Sequence, residues 1–172
     1  MAGGETRSQS VWNGVKKVAA DISHVVIHDA ARPCIADVWI DKVFAAAQEH
    51  GAAILVTPID STIKKSADDN FVAETVDRDK LYLAQTPQIF QRQILNDAFG
   101  QVIGSDQHIS FTDESQMLES LGVKVRMVPG SLMNIKITTK LDMALATAIL
   151  KVLPTPKFDA PPHPFKDDNI WR

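Results

Sequence analysis

The sequence predicts an α/β fold. Helix-like and strand-like hydrophobic patterns alternate along the chain, and two short apolar runs, Val25-Val26-Ile27 and Ala53-Ile54-Leu55-Val56-Thr57, read as buried strands. The stretches around them repeat apolar residues at helical spacing. With 172 residues, 45% of them hydrophobic, the chain is long enough for one domain with a sizeable core.

The elements follow in order. Val11, Val15 and Val18 share one face of a helix predicted over Ser10 to Ala20, and the strand at Val25 to Ile27 reads as buried on both faces. Ile40, Val43, Phe44 and Ala47 recur at helical spacing over Asp37 to His50, and Gly51 suits the left-handed cap that ends such a helix. Pro58 ends the next strand, because proline cannot donate to a central ladder. Residues 59–80 differ. Ser61 to Lys65 and Val72 to Val76 flank the turn signal Asp68-Asp69-Asn70 and pair as a polar hairpin, an arm with too little apolar surface to fill a core. Helices are predicted over Arg92 to Phe99 and Asp113 to Leu121. Thr112 is the expected N-cap of the second, and Asp113 and Glu114 in its first turn complement the helix dipole. Gly122 stops it. Val123 to Val128 reads as a strand and Asn134 to Ile137 as a candidate strand. The last helix covers Lys140 to Leu153, capped by Thr139, with Leu141, Leu145, Ala148 and Ile149 toward the core. The domain is expected over 1–153. Five of the nine prolines fall in residues 154–172, which read as an extended tail.

A net charge of −3 and a pI near 5.9 give no sign of a nucleic-acid surface or a polybasic membrane anchor. The lone cysteine, Cys34, rules out an intrachain disulfide, and no apolar run approaches a membrane span. A cytoplasmic protein without nucleic-acid or membrane partners is the expectation.

Four clusters carry chemistry-bearing residues. His28-Asp29-Ala30-Ala31-Arg32-Pro33 follows a buried strand, where open α/β sheets bind ligands. There Asp29 is able to hold Mg²⁺ and Arg32 to fork a phosphate, though the spacing equally fits a turn cap and a solvated arginine. Thr62 on one limb of the hairpin, and Arg78 after the other, read either as anion ligands for a neighbouring subunit or as solubilising surface groups. Thr86, in Ala84-Gln85-Thr86-Pro87-Gln88-Ile89-Phe90, and Thr112, in Phe111-Thr112-Asp113-Glu114-Ser115, read as anion-site hydroxyls or, for Thr112, as a plain helix cap. Lys136, in Asn134-Ile135-Lys136-Ile137-Thr138, is a point charge suited to phosphate, or a solvated lysine.

Taken in order, the segment Gly3 to Ser10, HDAARP, STIKK, TVDR, AQTPQIF, FTDES and NIKIT resembles the 2-C-methyl-D-erythritol 4-phosphate cytidylyltransferases over residues 3–153. Some ribitol-phosphate cytidylyltransferases share much of the pattern. The resemblance implies a Rossmann-like nucleotidyltransferase fold, with a β-arm over about 59–80 reaching into the partner of a homodimer. It implies Mg²⁺-dependent transfer of a cytidylyl group from CTP to methylerythritol phosphate, with release of pyrophosphate, in non-mevalonate isoprenoid synthesis. By the same resemblance, Gly4, Glu5 and Ser10 bind the nucleotide. Asp29 lies at the metal, while Arg32, Thr62, Thr86 and Thr112 bind the substrate, and Arg78 and Lys136 position the attacking phosphate. Where this sequence has Glu5 the family often has aspartate. The family opens with a strand and a glycine-rich loop that grips the CTP phosphates, and this sequence starts at Gly3-Gly4. An N-terminally truncated fold with impaired turnover is therefore the expectation, against the alternative of a non-catalytic fragment that keeps the dimer arm and part of the pocket.

Overall fold

A computed structural model describes residues 3–67, 70–103 and 111–154. Most of the expected proline-rich tail, and Asp68 and Asp69 of the expected turn, lie outside the described residues.

The first helix, α1 (Arg7–Val15), starts three residues before the predicted one. Thr6 and Gln9 form a reciprocal capping box there, satisfying two orphan amides at once. Strand β1 (His24–Ile27) follows, then α2 (Asp37–His50), which closes on Gly51 in the left-handed conformation with φ 81°. Strand β2 (Ala52–Pro58) is buried along its length except at Pro58. The hairpin pairs β3 (Ile63–Ser66) with β4 (Val72–Val76) in a separate two-stranded sheet whose residues are mostly exposed. Strand β5 (Tyr82–Gln91) has no counterpart among the predicted elements. It is followed by α3 (Arg92–Ile103), α4 (Glu114–Ser120), β6 (Arg126–Pro129) and α5 (Lys140–Ile149).

The main sheet has the order β1-β5-β2-β6. Strand β5 runs antiparallel to both β1 and β2, and β2 runs parallel to β6. Strands β1, β2 and β6 therefore point the same way, with β5 reversed among them. Pro87 sits inside β5 without breaking it, because the register jumps there. Ile54 pairs with Gln88 and Leu55 with Gln85, so Thr86 and Pro87 bulge out of the ladder. The Thr86–Pro87 peptide is cis.

Successive β2 residues face opposite layers. Ala52, Ile54 and Val56 pack with Val15, Phe90, Leu95, Phe99 and Leu118 beneath α1, α3 and α4. Ala53 and Leu55 pack with Trp39, Val43, Ala47 and Val128 beneath α2. The result is helix, sheet, helix, the three-layer arrangement expected of an α/β sequence.

Several expectations need correction. Val26 is exposed, so β1 is buried on one face only, and among the described residues it pairs on one side, with β5. Ile40 and Phe44 lie at the rim of α2, while Trp39, Val43 and Ala47 fill its buried face. Asp113, not Thr112, caps α4: its carboxylate accepts from the Gln116 amide, and Thr112 instead donates its own amide to the Gln116 side chain. Residues 134–137 form no strand, although the Ile137 amide donates to the Ala31 carbonyl. Leu141 (78% exposed), Leu145 and Ala148 face outward, because α5 touches the body through the small patch of Ala146, Ile149 and Cys34. Cys34 is fully buried, as a structural cysteine should be, and burial raises its thiol pKa.

Thr139 caps α5 as expected, with Asp142 completing the box. Backbone donors from Thr138 and Thr139, then the Thr138 hydroxyl, hold the Asp142 carboxyl down to about 2 from an ordinary 3.8. A depressed carboxyl contributes stability that is present above its unfolded value and lost as pH falls through its folded value. The wild-type melting temperature should therefore drop more steeply than that of Asp142→Asn as pH falls from 3.8 to about 2. Parallel acid titrations of the two proteins by circular dichroism would show this, and superimposable curves would refute it.

Candidate active site at the carboxyl ends of the parallel strands

Three loops converge where β1 and β6 end and β5 bulges. Asp29 and Arg32 follow β1, Thr86 is on the bulge, and Asn134 and Lys136 follow β6. Ligands in open α/β sheets collect beyond the carboxyl ends of the strands, and the reversed β5 brings its bulge to that same edge.

Asp29 is the centre of the cluster. Lys136 Nζ lies 2.9 Å from one of its oxygens, Arg32 Nε at 3.7 Å and Arg7 Nη2 at 3.9 Å. Burial pushes the Asp29 carboxyl up. The Lys136 hydrogen bond and charge, then Arg7 and Arg32, outweigh it and hold the group below its ordinary value. Burial likewise lowers Arg32 from its ordinary value, against the pull of Asp29.

The loops are also tied together by hydrogen bonds. The Asp29 amide donates to Thr86 Oγ1 at 2.9 Å. His28 Nε2 lies 3.0 Å from the Arg32 carbonyl, which only accepts, so in the neutral ring Nε2 carries the proton. Nδ1 then accepts from the Thr86 hydroxyl at 3.1 Å. The Thr86 hydroxyl thus has its proton committed and keeps a free lone pair. Arg32 Nη1 donates to the Asn134 carbonyl at 2.7 Å, and the buried Asn134 amide donates to the Thr86 carbonyl at 2.8 Å. The Gln85 side chain donates to the Ser131 carbonyl, and a side chain at Gly130 would collide with it.

A second pair sits beside the cluster. Arg7 Nη1 reaches both oxygens of Glu114, at 2.7 and 2.8 Å, and Glu114 is only 1% exposed. Burial raises the Glu114 pKa, and Arg7 pulls it partly back. Sequence reasoning places neither residue in a site. Glu114 reads there as a helix-dipole partner, and Arg7 merely falls between the expected nucleotide contacts Glu5 and Ser10. The only available signal is an acid and an arginine inside two motifs of one family pattern.

Of the residues singled out from the sequence, Asp29, Arg32, Thr86 and Lys136 come together. Gly4 and Ser10 also meet, the Gly4 amide donating to the Ser10 hydroxyl at 2.9 Å, while Glu5 binds the Gln9 side chain through its amide. Thr112 is exposed one residue before the α4 cap. Arg78 lines a separate open cavity of about 480 Å³ at the base of the hairpin, between residues 58–60 and 77–82. Among the described residues no hydrogen bond or ion pair joins Thr62 or Arg78 to Asp29.

Magnesium ordinarily takes one or two carboxylates plus phosphates and waters. Asp29 is the one carboxylate of the central cluster, and three cations already face it. No group of three or more His, Cys, Asp or Glu suited to a metal occurs among the described residues. The residues do not fit a metal held by protein ligands alone. No helix among the described residues is long and apolar enough to cross a membrane.

The three-layer frame is that of a Rossmann-like α/β nucleotidyltransferase, and solved structures of that class superpose on it. The cytidylyltransferase from Thermus thermophilus matches with a TM-score of 0.80 at 30% identity, over 88% of this chain and 72% of that one. The enzyme from Francisella tularensis matches with a TM-score of 0.78 at 36% identity, over 86% and 70%. The family model for 2-C-methyl-D-erythritol 4-phosphate cytidylyltransferase matches residues 1–152, and the chain belongs to that family. The curated cytidylyltransferase of Syntrophus aciditrophicus is 42% identical over 151 residues, 88% of this chain. The chain spans 64% of that relative's length.

Proposed function

We propose that the chain serves cytidylyl transfer from CTP to 2-C-methyl-D-erythritol 4-phosphate, giving the CDP-linked product and pyrophosphate. The observation that carries this is the Asp29 cluster. Arg32 and Lys136 converge at the strand ends on a single carboxylate, and Lys136, half exposed, offers its charge to an incoming phosphate. In the reaction an oxygen of the acceptor phosphate attacks the α-phosphorus of CTP. The new P–O bond forms as the bond to the β-phosphate bridge breaks, and pyrophosphate leaves with that electron pair. A phosphate monoester is already nucleophilic at neutral pH, so positioning and charge compensation dominate. Arg32 and Lys136 supply the charge, and Asp29 fixes where they stand. The free lone pair of Thr86 accepts from a substrate hydroxyl. Thr112 extends the acceptor side, and Gly4, Glu5 and Ser10 take the nucleotide. Mg²⁺ belongs to this reading as a counter-ion of the CTP phosphates.

The hairpin belongs to the same proposal, as an arm of the 1–153 domain that crosses to a second copy of the chain and delivers Thr62 and Arg78. Its exposed polar strands and its separation from the main sheet support this. Dimers mixed from an Arg78→Ala chain and a Lys136→Ala chain test the crossing. If Arg78 serves the partner's site, one of the two sites in the mixed dimer contains both defects and the other neither, so mixing restores up to half of the wild-type rate. A rate no higher than either parent refutes it. The reaction itself is tested by pyrophosphate release from CTP and methylerythritol phosphate with Mg²⁺, measured on the natural protein. Release with CTP that does not depend on the acceptor would overturn the assignment.

A further inference from the structure

We propose that Arg7 is a positioning residue for this site, a strap that sets Asp29 by anchoring on the buried carboxylate of Glu114. The inference rests on the cytidylyl-transfer reading for its assay.

Arg7 lies 107 residues from Glu114 in sequence, at the start of α1, between Glu5 and Ser10 of the segment assigned to the nucleotide. One nitrogen of its guanidinium, Nη1, holds both Glu114 oxygens at 2.7 and 2.8 Å. A second, Nη2, faces Asp29 at 3.9 Å, beyond hydrogen-bond reach but close enough for its charge to act on the carboxylate. The planar guanidinium makes these two contacts rigidly dependent on each other, which a lysine cannot do.

Among the described residues Glu114 has no other cation. Fully buried, it would be costly to keep ionised without Arg7, and burial does raise its pKa. The carboxylate therefore fixes Arg7, and Arg7 in turn presents a fixed charge to Asp29, the group that also holds Arg32 and Lys136. Three cations against two carboxylates leave the network net positive, which suits a site for a phosphate monoester. The strap also joins α1, the loop after β1 and α4. In the reading above, these elements carry the nucleotide contacts, Asp29 and the Thr112 segment.

The variants are Glu114→Gln, Arg7→Lys and the double mutant, in the natural protein. Glu114→Gln keeps shape and removes the anchor. We expect kcat to fall on the order of 10–100-fold in Glu114→Gln with melting within a few degrees of wild type, and Arg7→Lys not to rescue it. The double mutant should be no worse than the worse single, since both break one device. Backbone amide NMR gives a readout independent of turnover: in Glu114→Gln the signals of Gly4, Ser10 and Asp29 should shift together. The proposal is overturned if kcat holds while only stability falls, if the two defects multiply, or if the shifts stay within α4. A wild type that releases no pyrophosphate would instead overturn the functional reading, and the amide shifts would still decide the strap.

Discussion

Lys136→Ala should cut the proposed cytidylyl transfer on the order of 10²–10³-fold, the loss typical of one strong donor to developing charge, and leave the melting temperature nearly unchanged. Two observations set those expectations apart. The Lys136 side chain is 47% exposed, so solvent screens its pairing with Asp29 and little folding energy rides on it. Its ammonium nevertheless ends 2.9 Å from Asp29, on the edge of the sheet where Arg32 also points. In the proposed reaction, attack on CTP brings two anionic phosphates together, so a cation there counts far more in the transition state than in the resting protein. Steady-state kinetics should show most of the loss in kcat with saturating acceptor. If only the acceptor KM rises, Lys136 contributes uniform binding and the catalytic role is wrong.

Phe90→Ala should destabilise the fold by about 3–5 kcal/mol, as large-to-small changes of buried aromatics do. Phe90 is fully buried in β5 and sits opposite both Val25 and Ala52 in the ladder. Its ring packs into the layer that contains Leu95, Phe99 and Leu118. For a protein of this size the melting temperature should drop by roughly 6–20 °C. Calorimetry or thermal circular dichroism on the pair of proteins measures it. A drop of under two or three degrees would mean that the site collapses around the truncation, and that the packing described for this layer is wrong.

What the sequence discloses depends on whether local patterning and tertiary setting agree. Helix α2, strand β2 and the hairpin announce themselves because their apolar spacing, their Gly51 cap and their polar limbs all point one way. Strand β5 stays hidden. It carries three glutamines and a proline, so it has neither alternation nor β-branched enrichment, and its burial comes from neighbours on both sides. The α4 cap differs from its expected place by one residue because Thr112 and Asp113 are both good capping types, and only geometry shows which side chain meets the Gln116 amide. The amphipathic pattern of α5 overstates its contact, since spacing shows which residues share a face and not whether anything covers it. In the site, Asp29, Arg32 and Lys136 are legible as chemistry after strands. Arg7 and Glu114 are not, because a buried pair separated by more than a hundred residues leaves no trace in local spacing.

The bulge in β5 has a consequence for how such a site can change. Thr86 and Pro87 are excused from the ladder, while Gln85 and Gln88 on either side keep their partners in β2. The residue nearest the charged loops is therefore free of any pairing duty to the sheet. A change at Thr86 would leave the rungs beneath it in place but break the ties of its hydroxyl to the Asp29 amide and to His28. A change at Gln85 would lose the side-chain tie to Ser131 while the main-chain pairing with Leu55 stays. Within one strand, the task of holding the charged loops and the task of pairing with the sheet thus fall to adjacent residues.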